Sequence, residues 1–148
     1  MKKLLFLLIL LVASCGYHPI YLGTDEQKFR FSKVIIEEND EISKKIINSI
    51  SFEEIETDES LDELVLKSSY EILETSKNSK GQVQSYRSKI FVTLKIVNNN
   101  KKIKEKKFLK EFSYNTKNNK FALIQYQKEI QNNLVKEIVR DINIYLNI

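Results

Sequence analysis

Side chains able to do covalent or metal chemistry are few in this chain, and they are scattered. There is one histidine, His18, and one cysteine, Cys15. They supply no nucleophile with its base and no Cys/His cluster at metal-ligand spacing. Gly16, Gly23 and Gly81 lie too far apart to form a phosphate-cradling loop. The densest group of carboxylates, Glu53, Glu54, Glu56, Asp58, Glu59, Asp62 and Glu63, sits in a polar stretch with no apolar site to tune it for acid–base work. No enzymatic activity and no bound cofactor are therefore expected. What remains is positive charge. Lys101, Lys102, Lys104, Lys106 and Lys107 cluster with Ile103 and Phe108 between them, and Arg87, Lys89 and Lys95 fall on one side of a period-two pattern. Arginine can grip a phosphate with paired donors while lysine acts as a point charge. The competing reading is a solubilising turn beside the solvated side of a sheet.

Cys15 has a chemistry of its own. Met1-Lys2-Lys3 is a short basic start, and Leu4 to Val12 is an unbroken apolar run of nine residues. As a helix that run spans about 14 Å, half of a hydrocarbon core, so it is too short to cross a membrane and has the length of a signal-peptide core. Val12-Ala13-Ser14-Cys15 follows: aliphatic, small, small, Cys. It resembles the bacterial lipobox, in which the cysteine is acylated and becomes the mature N-terminus. The expectation is a lipoprotein signal over residues 1–14, removed on export, with Cys15 carrying the lipid. Several acyl chains on one cysteine suffice for stable anchoring. The absence of Asp after Cys15, where Gly16 stands, points by lipoprotein sorting to the outer membrane. Lys2 and Lys3 would leave with the signal, so half of the formal net charge of +4 belongs to the precursor. Export also argues against nucleic acid as the partner of the lysines.

The elements that must position these groups follow from composition and periodicity. The chain has 148 residues, 42% hydrophobic and 10% aromatic, with one Pro. This excludes a disordered or collagen-like chain and fits a single domain. Residues 15–27 read as a lipidated tether and 28–148 as the domain. Phe29 to Ile36 is enriched in aromatic and β-branched residues and reads as a first strand. Asn39 or Asp40 can cap a helix carrying Ile42, Ile46, Ile47 and Ile50. The acidic stretch from Glu53 to Glu63 reads as a solvated linker.

Leu64 to Leu73 alternates as a strand, and Ser76 to Gly81 is a turn. Tyr86 to Ile96 is the clearest period-two stretch, and Asn98 to Lys101 the next turn. Phe108, Phe112 and Tyr114 mark a fourth strand and are expected in the core. From Lys120 to Ile148, Leu123, Tyr126, Ile130, Leu134, Ile138, Ile142 and Tyr145 recur at helical steps, with Asn118 or Asn119 as cap. The order β-α-β-β-β-α predicts an α+β two-layer sandwich: two helices on a four-stranded, mostly antiparallel sheet. The partner of the first strand is not readable.

Cys15-Gly16-Tyr17-His18-Pro19-Ile20-Tyr21 resembles the mature start of the LptE-type (RlpB) lipopolysaccharide-assembly lipoproteins, which begin Cys-Gly-aromatic-x-Pro-aliphatic-Tyr. Every class matches across these seven residues, and the order of elements is similar to that family's helix-on-sheet domain. The resemblance implies an outer-membrane lipoprotein that sits as a plug inside an LptD-type β-barrel translocon. It would assist barrel assembly and bind lipopolysaccharide during its insertion into the outer leaflet. Arg87, Lys89, Lys95, Lys104 and Lys106 are then the expected contacts for lipid A phosphates. Two other readings stay open: a freestanding envelope scaffold, and a periplasmic carrier with a lipid cavity between sheet and helices.

Overall fold

The computed structural model describes residues 29–39, 41–55, 61–99 and 101–147. The signal, Cys15, the heptapeptide motif and the tether lie outside the described residues. The alternation that is clearest in sequence builds the centre of the sheet. Strand β5 (Val83–Asn98) pairs antiparallel with β4 (Glu63–Lys77) on one side and β6 (Lys101–Asn115) on the other. Its residues Ser88, Ile90, Val92 and Leu94 are buried. Two helices cover that side: α1 (Glu41–Ser49) and α2 (Lys120–Leu146). Ile42 and Ile46 of α1 meet Leu64 and Leu66, while Ile130, Leu134, Ile138 and Ile142 of α2 close the same core. The fold is thus the expected α+β sandwich, with two helices on a four-stranded sheet of order β2-β4-β5-β6.

The first strand departs from the expectation. Residues 29–36 form two strands, not one, because the chain changes sheets at Ser32. Strand β1 (Phe29–Phe31) pairs parallel with β3 (Phe52–Glu54), and β2 (Lys33–Ile36) pairs parallel with β4. The Ser32 amide and hydroxyl both donate to the Asp62 carbonyl, at 2.9 and 3.2 Å, and pin the switch. The acidic linker is corrected by the same feature. Glu53 and Glu54 lie in β3, and Glu63 opens β4; residues 56–60 lie outside the described residues. Phe52 packs its ring on Phe29 and Phe31 at 6.2 and 5.8 Å. Glu53 accepts from Arg30 Nε at 3.2 Å, and Glu54 accepts the Val34 amide at 2.9 Å. Aromatic packing and these two specific acceptors override the polar composition that suggests a linker.

Polar groups under the helices are matched to one another. Ser88 Oγ lies 3.1 Å from the Tyr70 hydroxyl and 3.2 Å from that of Tyr114, and Ser43 Oγ donates to Ser68 Oγ at 2.9 Å. Burial pushes the Tyr70 hydroxyl pKa up, an effect opposed by its hydrogen bond to Ser88. The turn after β4 runs over residues 78–82, slightly later than expected. Asn78 Oδ1 accepts the amides of Lys80 and Gln82, and Gly81 takes φ +77°, a conformation open to glycine at little cost. Asn119 caps α2 by accepting the Phe121 amide at 2.7 Å. Of the two caps expected for α1, Asp40 lies outside the described residues, and Asn39 closes a 3-10 turn over Glu37–Asn39.

Candidate functional site

The five cations expected to hold phosphate belong to β5 and β6, so the register between these strands decides what they can do. Lys95 lies opposite Glu105, Lys89 opposite Glu111, and Arg87 opposite Ser113. Lys104 and Lys106 lie opposite Ile96 and Leu94, which belong to the helix-bearing side. Directly opposed residues of an antiparallel pair share a face. Arg87, Lys89 and Lys95 therefore occupy the outer face, while Lys104 and Lys106 sit on the inner face, Lys106 beside the last turn of α2. The single patch expected from sequence is two separate sets of cations. The cause is parity: odd positions of β5 meet odd positions of β6 until the register shifts between Ile96 and Val97.

The outer set is already matched with acids. Glu111 lies 3.5 Å from Arg87 and 3.8 Å from Lys89, and Arg87 Nε also donates to Ser113 at 3.0 Å. Lys95 pairs with Glu37 at 3.2 Å, and Lys67, on the same face, pairs with Glu38. Glu38 holds φ 65°, an uncommon conformation for a residue with a side chain, at the point where the 3-10 turn brings its carboxylate over the sheet. Between these pairs, Phe91 and Leu109 stand opposite each other and remain exposed. The outer face is an acid–base mosaic around an apolar centre. Glu111, Glu37 and Glu38 are the residues that sequence reasoning missed, because only cross-strand register and the fold of the 3-10 turn bring them to these cations.

The lysine cluster is also relocated. It is not a turn but the first half of β6, an edge strand whose residues 101–107 are all exposed. Lysines on an edge oppose unwanted strand pairing, which gives a structural reason for several of them. Glu105 is the one acid in this stretch. Lys102 donates to it at 2.8 Å, and this bond with the charges of Lys102, Lys107 and Lys95 holds the Glu105 pKa below its ordinary 4.5. Among the described residues, Lys101, Lys104 and Lys106 take part in no ion pair.

Two grooves follow the seam between β6 and α2. One, of about 180 Å³, is lined by Phe112, Tyr126, Leu134 and Glu137. The other, of about 410 Å³, is lined by Lys106, Phe108, Ile144 and Tyr145. Lys110 closes the seam between them, 2.7 Å from Asp141 and 4.0 Å from Glu137. Phe108 and Tyr114 are buried as expected, but Phe112 is 47% exposed. It stands on the edge strand where the helix leaves the first groove uncovered. The interface between sheet and helices is itself filled, with Ile46, Leu64, Leu66, Ile90, Leu94, Ile138 and Ile142 fully buried.

No protein-family model and no curated protein matches this chain. Solved structures do. The fold is similar to that of rare lipoprotein B from Shewanella oneidensis, with a TM-score of 0.52 and 15% identity, over 75% of this chain and 93% of that one. A minor lipoprotein from Acinetobacter baumannii gives 0.52 and 15%, over 76% and 86%. Lipoprotein B from Nitrosomonas europaea gives 0.54 and 12%, over 78% and 79%. At these identities the likeness is one of fold: the helix-on-sheet domain described above is the one those lipoproteins carry.

Proposed function

We propose that this chain is an envelope lipoprotein, anchored through an acylated Cys15 to the periplasmic side of the outer membrane. In this reading it acts as the LptE/RlpB-type plug subunit of an LptD-type β-barrel that inserts lipopolysaccharide. The plug role and the outer-membrane address rest on the resemblance at Cys15–Tyr21; the observation that carries the envelope-lipoprotein reading is the fold likeness to the three lipoproteins. It supports the reading independently of the Cys15–Tyr21 motif, which lies outside the described residues. The role is structural, with no catalysis and no cofactor beyond the covalent lipid; its partners are the barrel, lipopolysaccharide and the membrane, not nucleic acid.

The filled sheet–helix interface favours the plug or scaffold readings over a carrier with an internal lipid cavity. Affinity purification from membranes tests the partner: a stable pair with a large β-barrel is expected, and its absence would leave a freestanding scaffold. Mass spectrometry tests the anchor. A mature chain starting at a diacylated or triacylated Cys15 is expected; a free thiol or another N-terminus would refute it. Cys15→Ala should leave a folded but unanchored domain.

A further inference from the structure

The register places the lysine-rich corner and the point where the chain enters the sheet at one end of the molecule. Lys33, the first residue of β2, lies opposite Glu63; Glu63 lies opposite Val97; Val97 lies opposite Lys102. These four residues form one row, so Lys102 stands three strand spacings, roughly 15 Å, from the entry of β2. Cys15 lies fourteen residues before Phe29 in sequence, which bounds its reach from β1 at about 50 Å. The last turn of α2 runs towards this end but stops short of it: Tyr145 is edge-on to Phe108 at 6.1 Å, and Ile144 shares a groove with Lys106. Ile103, 53% exposed, lies on β6 between Lys102 and Lys104, and Ile144, 55% exposed, lines the groove with Lys106; Lys101, Lys104 and Lys106 have no ion pair among the described residues. Unpaired lysines along one strand, with exposed aliphatic side chains among them, have the chemistry of a surface that rests on anionic lipid headgroups. The acids of this end are Asp62 and Glu63, on β4 and its approach, Glu105 on β6, and Glu37 over Lys95. The Asp62 carboxylate accepts from Asn98, and Glu105 and Glu37 are each matched by a lysine, so the unmatched charge of β6 is positive.

We propose that this corner is a membrane-contact surface for an anionic phospholipid bilayer. Its placement beside the anchor rests on the Cys15 reading; its affinity for lipid does not. Acyl chains on Cys15 would hold the protein on the membrane, and the corner would set its orientation. Strand β5, with sixteen residues, is about 50 Å long. The Asn98 end of this strand is then the one at the membrane, and the turn at residues 78–82 is at its other end.

The test uses the full mature chain carrying Cys15→Ala, so that no acyl chain inserts, with co-sedimentation on vesicles. Binding is expected to phosphatidylcholine vesicles containing phosphatidylglycerol, not to phosphatidylcholine alone, and should weaken as salt is raised. A Lys101→Gln/Lys104→Gln/Lys106→Gln variant should lose about fivefold per lysine, on the order of a hundredfold together. Its thermal unfolding should match the parent, because all three side chains are exposed. Arg87→Gln/Lys89→Gln should bind as the parent does. Equal binding by the triple variant, or an equal loss in the Arg87/Lys89 variant, overturns the proposal, the second result pointing to diffuse charge. Release by inorganic phosphate at matched ionic strength would also overturn it, in favour of a phosphate site. Because Cys15 is mutated throughout, failure here is separate from failure of the anchor or the barrel partner.

Discussion

Removing a side chain from the α2 stripe should destabilise the domain by an amount that depends on what lies behind it. Ile138 is 0% exposed and enclosed between α2 and the sheet; Leu134 is 3% exposed but also borders the groove beside Phe112. Large-to-small core substitutions cost about 2–5 kcal/mol, and the spread reflects how well the site collapses or refills. Ile138→Ala leaves a closed cavity and should fall near the upper end, about 4 kcal/mol. Leu134→Ala opens into the groove, where Phe112 can move inward, and should cost about 2–3 kcal/mol. Against a typical total of about 5–15 kcal/mol, either is a large loss. At roughly 3–4 °C per kcal/mol for a domain of this size, Tm should fall by about 12–16 °C and 6–12 °C respectively. Lys136 is exposed, so Lys136→Ala should shift Tm by no more than about 2 °C. Urea denaturation with an unchanged slope gives the free energies. Equal, small effects at Ile138 and Lys136 would refute the packing of α2. A larger loss at Leu134 than at Ile138 would refute the cavity argument.

Neutralising Glu111 separates a ligand-binding outer face from a solvated one. Glu111→Gln frees Arg87 and Lys89 and should tighten lipopolysaccharide binding at low salt, while Arg87→Glu/Lys89→Glu should weaken it. Unchanged binding in both would mean that this face is only surface. Glu105 has a folded-state pKa depressed below 4.5. Its contribution is therefore present above that value and lost as pH falls through the folded pKa. The stability difference between the parent and Glu105→Gln should be small at neutral pH and vanish in acid; a difference that grows in acid would contradict the sign.

Much of this protein is local, and what is local was readable. The alternation of β5 and the long stripe of α2 are periodicities of single segments, so fold class, helix layer and most of the core followed from them. The expectation of an anchor at Cys15 likewise rests on adjacent residues, which lie outside the described ones. Pairing was not readable, because it joins residues far apart in sequence. Residues 29–36 show a strand composition, but only the hydrogen bonds of Ser32 with Asp62 divide them between two sheets. The acids of β3 suggest solvent until Phe52 finds Phe29 and Phe31. For the basic residues, sequence supplied the charges and the shared parity of Arg87, Lys89 and Lys95. The β5–β6 register then put Lys104 and Lys106 on the other face and set Glu111 between Arg87 and Lys89. A strand's side chains alternate with a period of two, so each strand declares its own two faces. Which face meets which is set by the pairing, and that belongs to the tertiary structure alone.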